Sequence, residues 1–260
     1  MLIDSHCHLS SDEIYQDLEN VIKRAKENGV DCFLNAASKF DELDLQLQIS
    51  SSFSNIWTMT GVHPHDALSY ASVSLEEVLE KTKHEKVIAI GECGLDYFYD
   101  FAPKDVQINV FKTMIKASQE SGLPIVVHSR DAEDDTIELL KSAYKLKPFK
   151  GVIHCYSSNW KLAEEALKMG FYISASGMIT FRNAADLRGS FEKIPLNRLL
   201  VETDTPYLAP VPMRGKINEP AYVAYTAHAL ADLKKVSYEK IAEITTNNFF
   251  DLFSKAKKND

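Results

Sequence analysis

The sequence predicts an α/β fold in which parallel strands close into a barrel. Short runs rich in Val, Ile, Leu and Phe alternate with longer segments of helical periodicity along the chain, and this alternation is typical of repeated βα units with a parallel sheet. Eight such runs are present, and their number favours a closed barrel. The 260-residue length suits a single domain, 1–260, and no linker rich in Pro, Gly or Ser marks a boundary.

The predicted strands are short apolar runs, and most of them end in a polar side chain. In chain order they are LIDSH (2–6), VDCFLNAA (30–37), IWTMTGV (56–62), VIAIGE (87–92), PIVVH (124–128), KGVIHC (150–155), FYISAS (171–176) and RLLVETD (198–204). Because all strands of a parallel barrel run in the same direction, we expect these ends to meet at one mouth.

The predicted helices between the strands have recognisable ends. The segment 10–29 begins with Ser10 and Glu13 in capping-box spacing, and Ser74 and Glu77 repeat that spacing. The other helical segments that the periodicity predicts are 104–122, 160–170, 220–235 and 238–253.

The composition predicts a protein of the cytoplasm. Hydrophobic residues make up 45% of the chain and charged residues 25%, which is ordinary for a globular protein. The sequence contains neither an apolar run long enough to span a membrane nor the basic-then-apolar order of a signal peptide. The four cysteines lie beside predicted strands rather than in short framework spacings, which favours a reducing compartment. We therefore expect no membrane association, and nothing in the sequence indicates an obligate protein partner.

The net charge argues against a broad electrostatic grip on duplex nucleic acid. The formal charge is −8 at pH 7, whereas binding of that kind depends on many Lys or Arg contacts to phosphates. A polyanionic substrate would need local cations, supplied by metal ions or by a few arginines.

Metal-capable side chains stand at the carboxyl ends of five predicted strands. A lone histidine at a strand end is more often a structural or surface group, but agreement among five strand ends favours a shared site at the mouth. The predicted ligands are His6, His8, Glu92, His128, His154 and Asp204.

Alternation along the first strand puts His6 and His8 on the same side, so both imidazoles can face one cavity. Asp4 lies on that side but deeper, where it can accept an N–H from a ligating histidine or fill the barrel floor. Cys7 is out of phase with the histidines and is expected to pack in the core.

Six ligands are too many for one tetrahedral ion with an open position, and they suit two ions that share a bridging carboxylate. We predict Glu92 as the bridge, because its strand is central in the order. His6, His8 and Asp204 are assigned to one ion, and His128 and His154 are assigned to the other.

Histidines outside this pattern are not predicted to bind metal. His84 lies in a charged run and His228 lies within a predicted helix. Cys93 and Cys155 adjoin predicted ligands but are out of phase with them, so core packing is the expected role, although both can reach the mouth if their strands end there.

Four residues are predicted to bind substrate. Three of them follow the third and fifth strands, and the fourth lies in a later loop. His63 and His65 in GVHPH belong either to a Pro-containing turn or to the substrate site. Arg130 is positioned to pair with a phosphate oxygen or, alternatively, to form a salt bridge with a neighbouring aspartate, Asp131 or Asp134. Arg214, in the loop after TPYLAP, belongs either to a substrate-contacting rim or to a helix-entry turn.

Two further groups lie near the predicted site. Glu202 points inward but lies lower than Asp204, so we expect it to hydrogen-bond the ligands rather than bind metal. The aromatic run DYFYDF (96–101), including Tyr97, can stack on a base or simply cover the mouth.

Six motifs together resemble the TatD-like metal-dependent hydrolases. They are DSHCHL, GVHPH, GECGLDY, VVHSRDA, GVIHCYS and VETDTPYLAP, in this order and spacing, and the similarity runs from Leu2 to the closing TTNNFFDLF. The resemblance implies a TIM (β/α)8 barrel of the metal-dependent amidohydrolase type, two divalent cations, and cleavage of phosphodiester bonds in DNA by a 3′–5′ exonuclease that acts on single-stranded or damaged ends. The resemblance implies the same six metal ligands that were predicted from the strand ends. Many amidohydrolases bridge their metals with a carboxylated lysine, whereas this chain has Glu92 at that strand end.

The expected mechanism is two-metal hydrolysis, in which a water acidified by the cations attacks phosphorus in line. Asp204 is the predicted proton acceptor and Glu92 the bridging carboxylate. Histidine nitrogens suit zinc, manganese or iron, and they make magnesium alone the weaker candidate. Two rival functions stay open: hydrolysis of an ester or amide, such as deacylation of aminoacyl-tRNA, and a metal-binding scaffold without turnover.

Overall fold

A parallel sheet of eight strands, in sequence order, forms the centre of the computed structural model, which describes residues 1–37 and 39–257. The strands are β1 (Leu2–Cys7), β2 (Val30–Asn35), β3 (Ile56–Thr60), β4 (Val87–Asp96), β5 (Ile125–Arg130), β6 (Gly151–Ile153), β7 (Tyr172–Ala175) and β8 (Leu199–Val201). All eight lie where the apolar runs predict a strand.

The sheet closes between the first strand and the residues that follow the last one. The N–H of Asp204 donates to the carbonyl of His6 at 3.0 Å, and the N–H of His8 donates to the carbonyl of Thr205 at 2.9 Å. These bonds join the ends of the sheet at the mouth, so the architecture is a TIM barrel as predicted.

Helices follow the strands and cover the barrel. Those in the described residues are α1 (Asp12–Tyr15), α2 (Leu18–Glu27), α3 (Leu43–Ser52), α4 (Leu75–Lys81), α5 (Lys104–Ser121), α6 (Glu133–Leu146), α7 (Trp160–Lys168), α8 (Ala185–Lys193), α9 (Val223–Lys234) and α10 (Tyr238–Leu252). Within the described part of the chain, no helix has the length and apolarity to cross a membrane.

The first predicted helix is divided in the structure. The segment forms α1 and α2, and Ser11 rather than Ser10 precedes α1, without a side-chain cap. The predicted capping box of Ser10 and Glu13 was therefore wrong. Helix α2 restarts after Asp17, whose carboxylate binds the guanidinium of Arg24 at 3.1 Å. The second predicted box is confirmed, because Ser74 and Glu77 cap each other at the start of α4.

Two apolar clusters support the barrel. The larger one packs the strands against the surrounding helices. The smaller one joins strand residues such as Leu34 and Met59 to Phe249 and Phe253 at the end of the chain. Thr246 of α10 donates to the carbonyl of Met1, so α10 lies beside the start of β1. The carboxyl mouth, at the opposite end of the strands, is left for polar side chains.

Candidate metal centre

The structure brings all six predicted ligands together at the carboxyl mouth. His6 and His128 lie on strands, and His8 and His154 directly follow theirs. Asp204 lies three residues beyond the end of β8, with a positive φ of 59° that turns the chain at the mouth. The imidazoles of the four histidines lie close to the carboxylate of Glu92, and Asp204 stands beside two of them.

The two oxygens of Glu92 face different histidines. Oε1 lies 2.8 Å from His154 Nε2 and 3.0 Å from His128 Nδ1. Oε2 lies 3.2 Å from His6 Nε2 and 3.8 Å from His8 Nε2. A carboxylate with imidazoles on both oxygens has the arrangement that a bridge between two cations requires.

Asp204 stands beside the histidines of the first strand. Its Oδ1 lies 3.6 Å from His8 Nε2 and 3.8 Å from His6 Nε2. His6 and His8, with Asp204 beside them, therefore face Oε2 of Glu92, whereas His128 and His154 face Oε1. His63, which the sequence assigned to substrate binding, also lies on the Oε1 side, at 3.2 Å. The division of the ligands between two ions therefore stays a prediction.

Several imidazole nitrogens of the cluster have no hydrogen-bond partner and are suited to bind a metal ion. His6 Nδ1, His8 Nδ1 and His154 Nδ1 are buried without a hydrogen-bond partner, and His6 Nε2 approaches Glu92 without forming an aligned hydrogen bond. Unpaired buried polar atoms are costly, whereas imidazole nitrogens are ligands for divalent transition metals. Three groups within the described residues bring their ligand atoms to within 4.8 Å of one another: His6, His154 and Glu202; His6, His8 and Glu92; and His63, Glu92 and His128.

Electrostatics holds the central carboxylate in its charged form. Burial by itself would raise the pKa of Glu92, but the imidazoles of His154 and His63 hold it well below its usual range. Burial would likewise lower the pKa of His154, and the charges of Glu92 and Glu202 raise it well above its usual value instead. An ionised carboxylate is the form that binds a cation.

His63 and His65 both lie at the mouth but have different partners. His63 Nε2 lies 3.2 Å from Glu92 Oε1, and burial lowers the pKa of its imidazole to about 4. His65 Nε2 lies 2.9 Å from Asp96 Oδ2. His63 thus contacts the metal-capable cluster directly, and His65 reaches it through Asp96.

The two predicted arginines stack on aromatic rings. The guanidinium of Arg130 lies 3.8 Å above the ring of Phe98, and that of Arg214 lies 4.0 Å from the ring centre of Phe181. Across residues 1–37 and 39–257, no carboxylate oxygen lies within 4.0 Å of the Arg130 guanidinium, and Asp134 pairs with Lys161 instead. The salt-bridge alternative for Arg130 is thus absent from the structure.

Asp4 and Glu202 support the cluster from below. Asp4 accepts hydrogen bonds from the N–H and hydroxyl of Thr203 at 2.9 and 2.5 Å. Glu202 accepts the N–H of Cys155 at 2.5 Å, and it also lies 3.4 Å from His154 Nδ1. The hydrogen bond of Glu202 is thus to Cys155 and not to a predicted ligand, and Glu202 belongs with His6 and His154 to one of the three metal-capable groups. Asp4 tethers the chain beside Asp204 rather than an imidazole.

Asp96 is a buried part of the site that the sequence did not single out. Its Oδ2 lies 3.0 Å from His128 Nε2, and it occupies the end of β4 because that strand continues beyond the predicted end at Glu92. Alternation puts Asp96 on the same side of β4 as Glu92, but only once the structure shows that the strand continues past Gly91 and Gly94.

Gly94 makes this close pairing of β4 and β5 possible. A Cβ at Gly94 would lie 1.9 Å from the carbonyl oxygen of His128, and the residue has a φ of +147°. Only glycine fits here, because any side chain would push away the strand that carries His128.

A parallel barrel with histidines and carboxylates clustered at its carboxyl mouth defines a metal-dependent hydrolase. The family model for the TatD related DNase matches residues 3–254. The chain therefore belongs to the TatD family of metal-dependent hydrolases.

Individual relatives agree over nearly the whole chain. The uncharacterized metal-dependent hydrolase YabD of Bacillus subtilis is 41% identical over 253 residues, which cover 97% of this chain and 99% of that protein. The 3′-5′ ssDNA/RNA exonuclease TatD of Klebsiella pneumoniae is 30% identical and covers 97% of both chains. The crystal structure of the TatD homologue YJJV of Escherichia coli superposes with a TM-score of 0.91 at 29% identity, over 97% of this chain and 98% of that one.

Proposed function

We propose that this hydrolase cleaves phosphodiester bonds in DNA, as a 3′–5′ exonuclease acting on single-stranded or damaged ends. The observation that carries the proposal is the central carboxylate of Glu92, which has histidine nitrogens close to both of its oxygens. The exonuclease name of the Klebsiella pneumoniae relative supports the choice of bond and direction.

The donor set fits two divalent cations. His6, His8 and Asp204 would hold one, and His128 and His154 would hold the other, with Glu92 shared between them. When bound, the cations lower the pKa of water and neutralise charge on the phosphoryl oxygens. The nitrogen-rich ligand set favours zinc, manganese or iron, with magnesium alone as the weaker candidate.

The remaining chemistry belongs to side chains of this chain. The carboxylate of Asp204 accepts the proton of the attacking water, because it lies at the mouth and is held beside the imidazole of His8. His63 and Arg130 orient the phosphate from the other side of Glu92. Arg214 and His65 complete the substrate site at the rim.

Hydrolysis of an ester or amide is the rival that shares these metals. The cationic Arg130, which has no carboxylate partner within 4.0 Å in the described residues, favours a phosphate-bearing substrate over a small uncharged amide. Aminoacyl-tRNA also carries phosphates, so an assay of both substrates separates it from DNA. The scaffold without turnover is set aside, because the chain belongs to a family of hydrolases.

The test combines metal analysis with cleavage of a single-stranded DNA oligonucleotide labelled at its 5′ end. We expect about two divalent ions per chain, a ladder of products shortened from the 3′ end, loss of cleavage on chelation and recovery when the metal is restored. An aminoacyl-tRNA substrate is assayed in parallel. Cleavage of the aminoacyl ester with an intact oligonucleotide would replace this proposal with the ester hydrolase.

A further inference from the structure

Three exposed aromatic rings form a surface beside the metal centre. Phe98, Tyr99 and Phe101 lie in the loop between β4 and α5 and are 55%, 41% and 58% exposed. The rings of Phe98 and Tyr99 meet edge to face at 4.8 Å, and those of Tyr99 and Phe101 stack at 5.2 Å. We call these three residues the aromatic rim. Exposed apolar clusters of this kind mark binding surfaces.

The aromatic rim is held in place by buried polar groups. Asp96 Oδ1 accepts the N–H groups of Phe98 and Tyr99 at 3.0 and 3.1 Å. The side chain of Gln107 donates to the carbonyls of Asp96 and Ala102 on either side of the rim. The exposed rings are therefore presented by a fixed loop, which lowers the ordering cost of binding.

The aromatic rim touches the catalytic side of the mouth through His65. The ring of His65 packs against Tyr99 at 5.2 Å and against Phe101 at 4.8 Å. Its Nε2 shares Asp96 Oδ2 with His128. A molecule lying on the rim would thus continue directly into the metal-capable cluster.

A cation accompanies the rings. The guanidinium of Arg130 lies over both Phe98 and Tyr99, at 3.8 and 4.9 Å from their centres. Tyr97, by contrast, is used internally, because its hydroxyl bonds Asp135 and Lys104 covers its ring. Proteins that bind single-stranded nucleic acid combine aromatic rings, which stack on the bases, with cations, which pair with the phosphates.

We propose that the aromatic rim is a base-stacking platform that admits unpaired nucleotides to the metal centre, an inference that rests on the proposed nuclease function. The chain carries a formal charge of −8, so a broad electrostatic grip on the phosphates is not available to it. Stacking of bases on the aromatic rim supplies affinity without many cationic contacts to the phosphates. Bases within a duplex are already paired and stacked, and the platform therefore selects single strands.

The test compares the double variant Phe98→Ala/Phe101→Ala with the wild-type enzyme on two labelled chains of equal length. One is a single-stranded oligonucleotide, and the other has the same sugar-phosphate backbone without bases. We expect the double variant to raise KM for the base-bearing chain by at least about fivefold, as the loss of one base–aromatic contact requires. The abasic chain should be cleaved equally by both enzymes. Tyr225→Ala, which removes an exposed ring on α9, is the matched control and should leave both reactions unchanged.

Binding without turnover gives a second readout. In the presence of a chelator, fluorescence anisotropy should show the double variant binding the base-bearing chain at least about fivefold more weakly than Tyr225→Ala. Unchanged KM and unchanged binding in the double variant would overturn the platform, and so would equal cleavage of both chains by the wild type. Failure of the wild type to cleave either chain would instead overturn the proposed nuclease function.

Discussion

Asp96 and His128 face each other across β4 and β5, with Asp96 Oδ2 3.0 Å from His128 Nε2. The other nitrogen of the same imidazole, Nδ1, lies 3.0 Å from Glu92 Oε1. His128 is therefore oriented from both sides by carboxylates. The side chain of Asp96 is only 1% exposed. A carboxylate that fixes an imidazole in this way sets its tautomer and raises its basicity as a ligand.

Asp96→Asn should weaken cation binding while leaving the fold intact. The amide keeps the size of the carboxylate but lacks its charge, so we expect a loss of about 10- to 100-fold in cation affinity or activity. Titration calorimetry with zinc or manganese measures the affinity. Asp100→Asn, an exposed change in the same loop, is the control and should not alter it. Equal cation affinity in the two variants would contradict the orienting role of Asp96.

The strands were predictable because each is a short run rich in apolar residues. Buried parallel strands leave that signature in the sequence. The predicted ligands followed from it, since His6, His128 and their counterparts stand where the runs end. Helices α3, α6 and α8 were not located individually. Helix α8 contains Gly189, which disfavours helix on local grounds, and its place is set by packing against the barrel.

The extent of β4 was not predictable from local sequence. Gly91 and Gly94 resemble strand breakers, and both have positive φ values. They are present because the neighbouring backbone approaches closely, and a single sequence does not reveal that approach. Asp96 was missed for this reason. The aromatic rim beside it also needed the structure, which separates the exposed Phe98 from the internally bonded Tyr97.

His128→Ala should abolish hydrolysis without unfolding the protein. The change removes an imidazole that lies 3.0 Å from Glu92 Oε1, at a partly exposed position on the mouth. We expect activity to fall on the order of 10³-fold and the metal content to fall from about two ions to about one. Elemental analysis and circular dichroism check the two statements. His84→Ala is the control, because that imidazole is exposed and remote from the predicted ligand set. A variant with the wild-type nuclease rate would refute the assignment of His128.

Asp204→Asn should separate proton transfer from substrate binding. If Asp204 accepts the proton of the attacking water, the amide should lower kcat by about 10²- to 10⁴-fold and change KM little. Metal content is measured on the same sample, because Asp204 lies beside His6 and His8 and is predicted to share a cation with them. A large rise in KM at unchanged kcat would place Asp204 in substrate binding and not in proton transfer.

Gly94→Ala should damage stability and activity together. The new Cβ would lie 1.9 Å from the carbonyl oxygen of His128, at a φ of +147° that disfavours alanine. We expect the free energy of unfolding to fall by about 3 kcal/mol, and hydrolysis to fall because β5 carries His128 away from Glu92. Urea denaturation measures the first effect, and a rate assay measures the second.

Gly189→Ala is the matched control, since nothing lies within 4 Å of its Cβ position. In the middle of α8, that substitution should stabilise the protein by about 0.5–1 kcal/mol and leave the rate unchanged. Equal stability of the two variants would mean that β4 and β5 tolerate a side chain at Gly94, and that their close approach does not fix the position of His128.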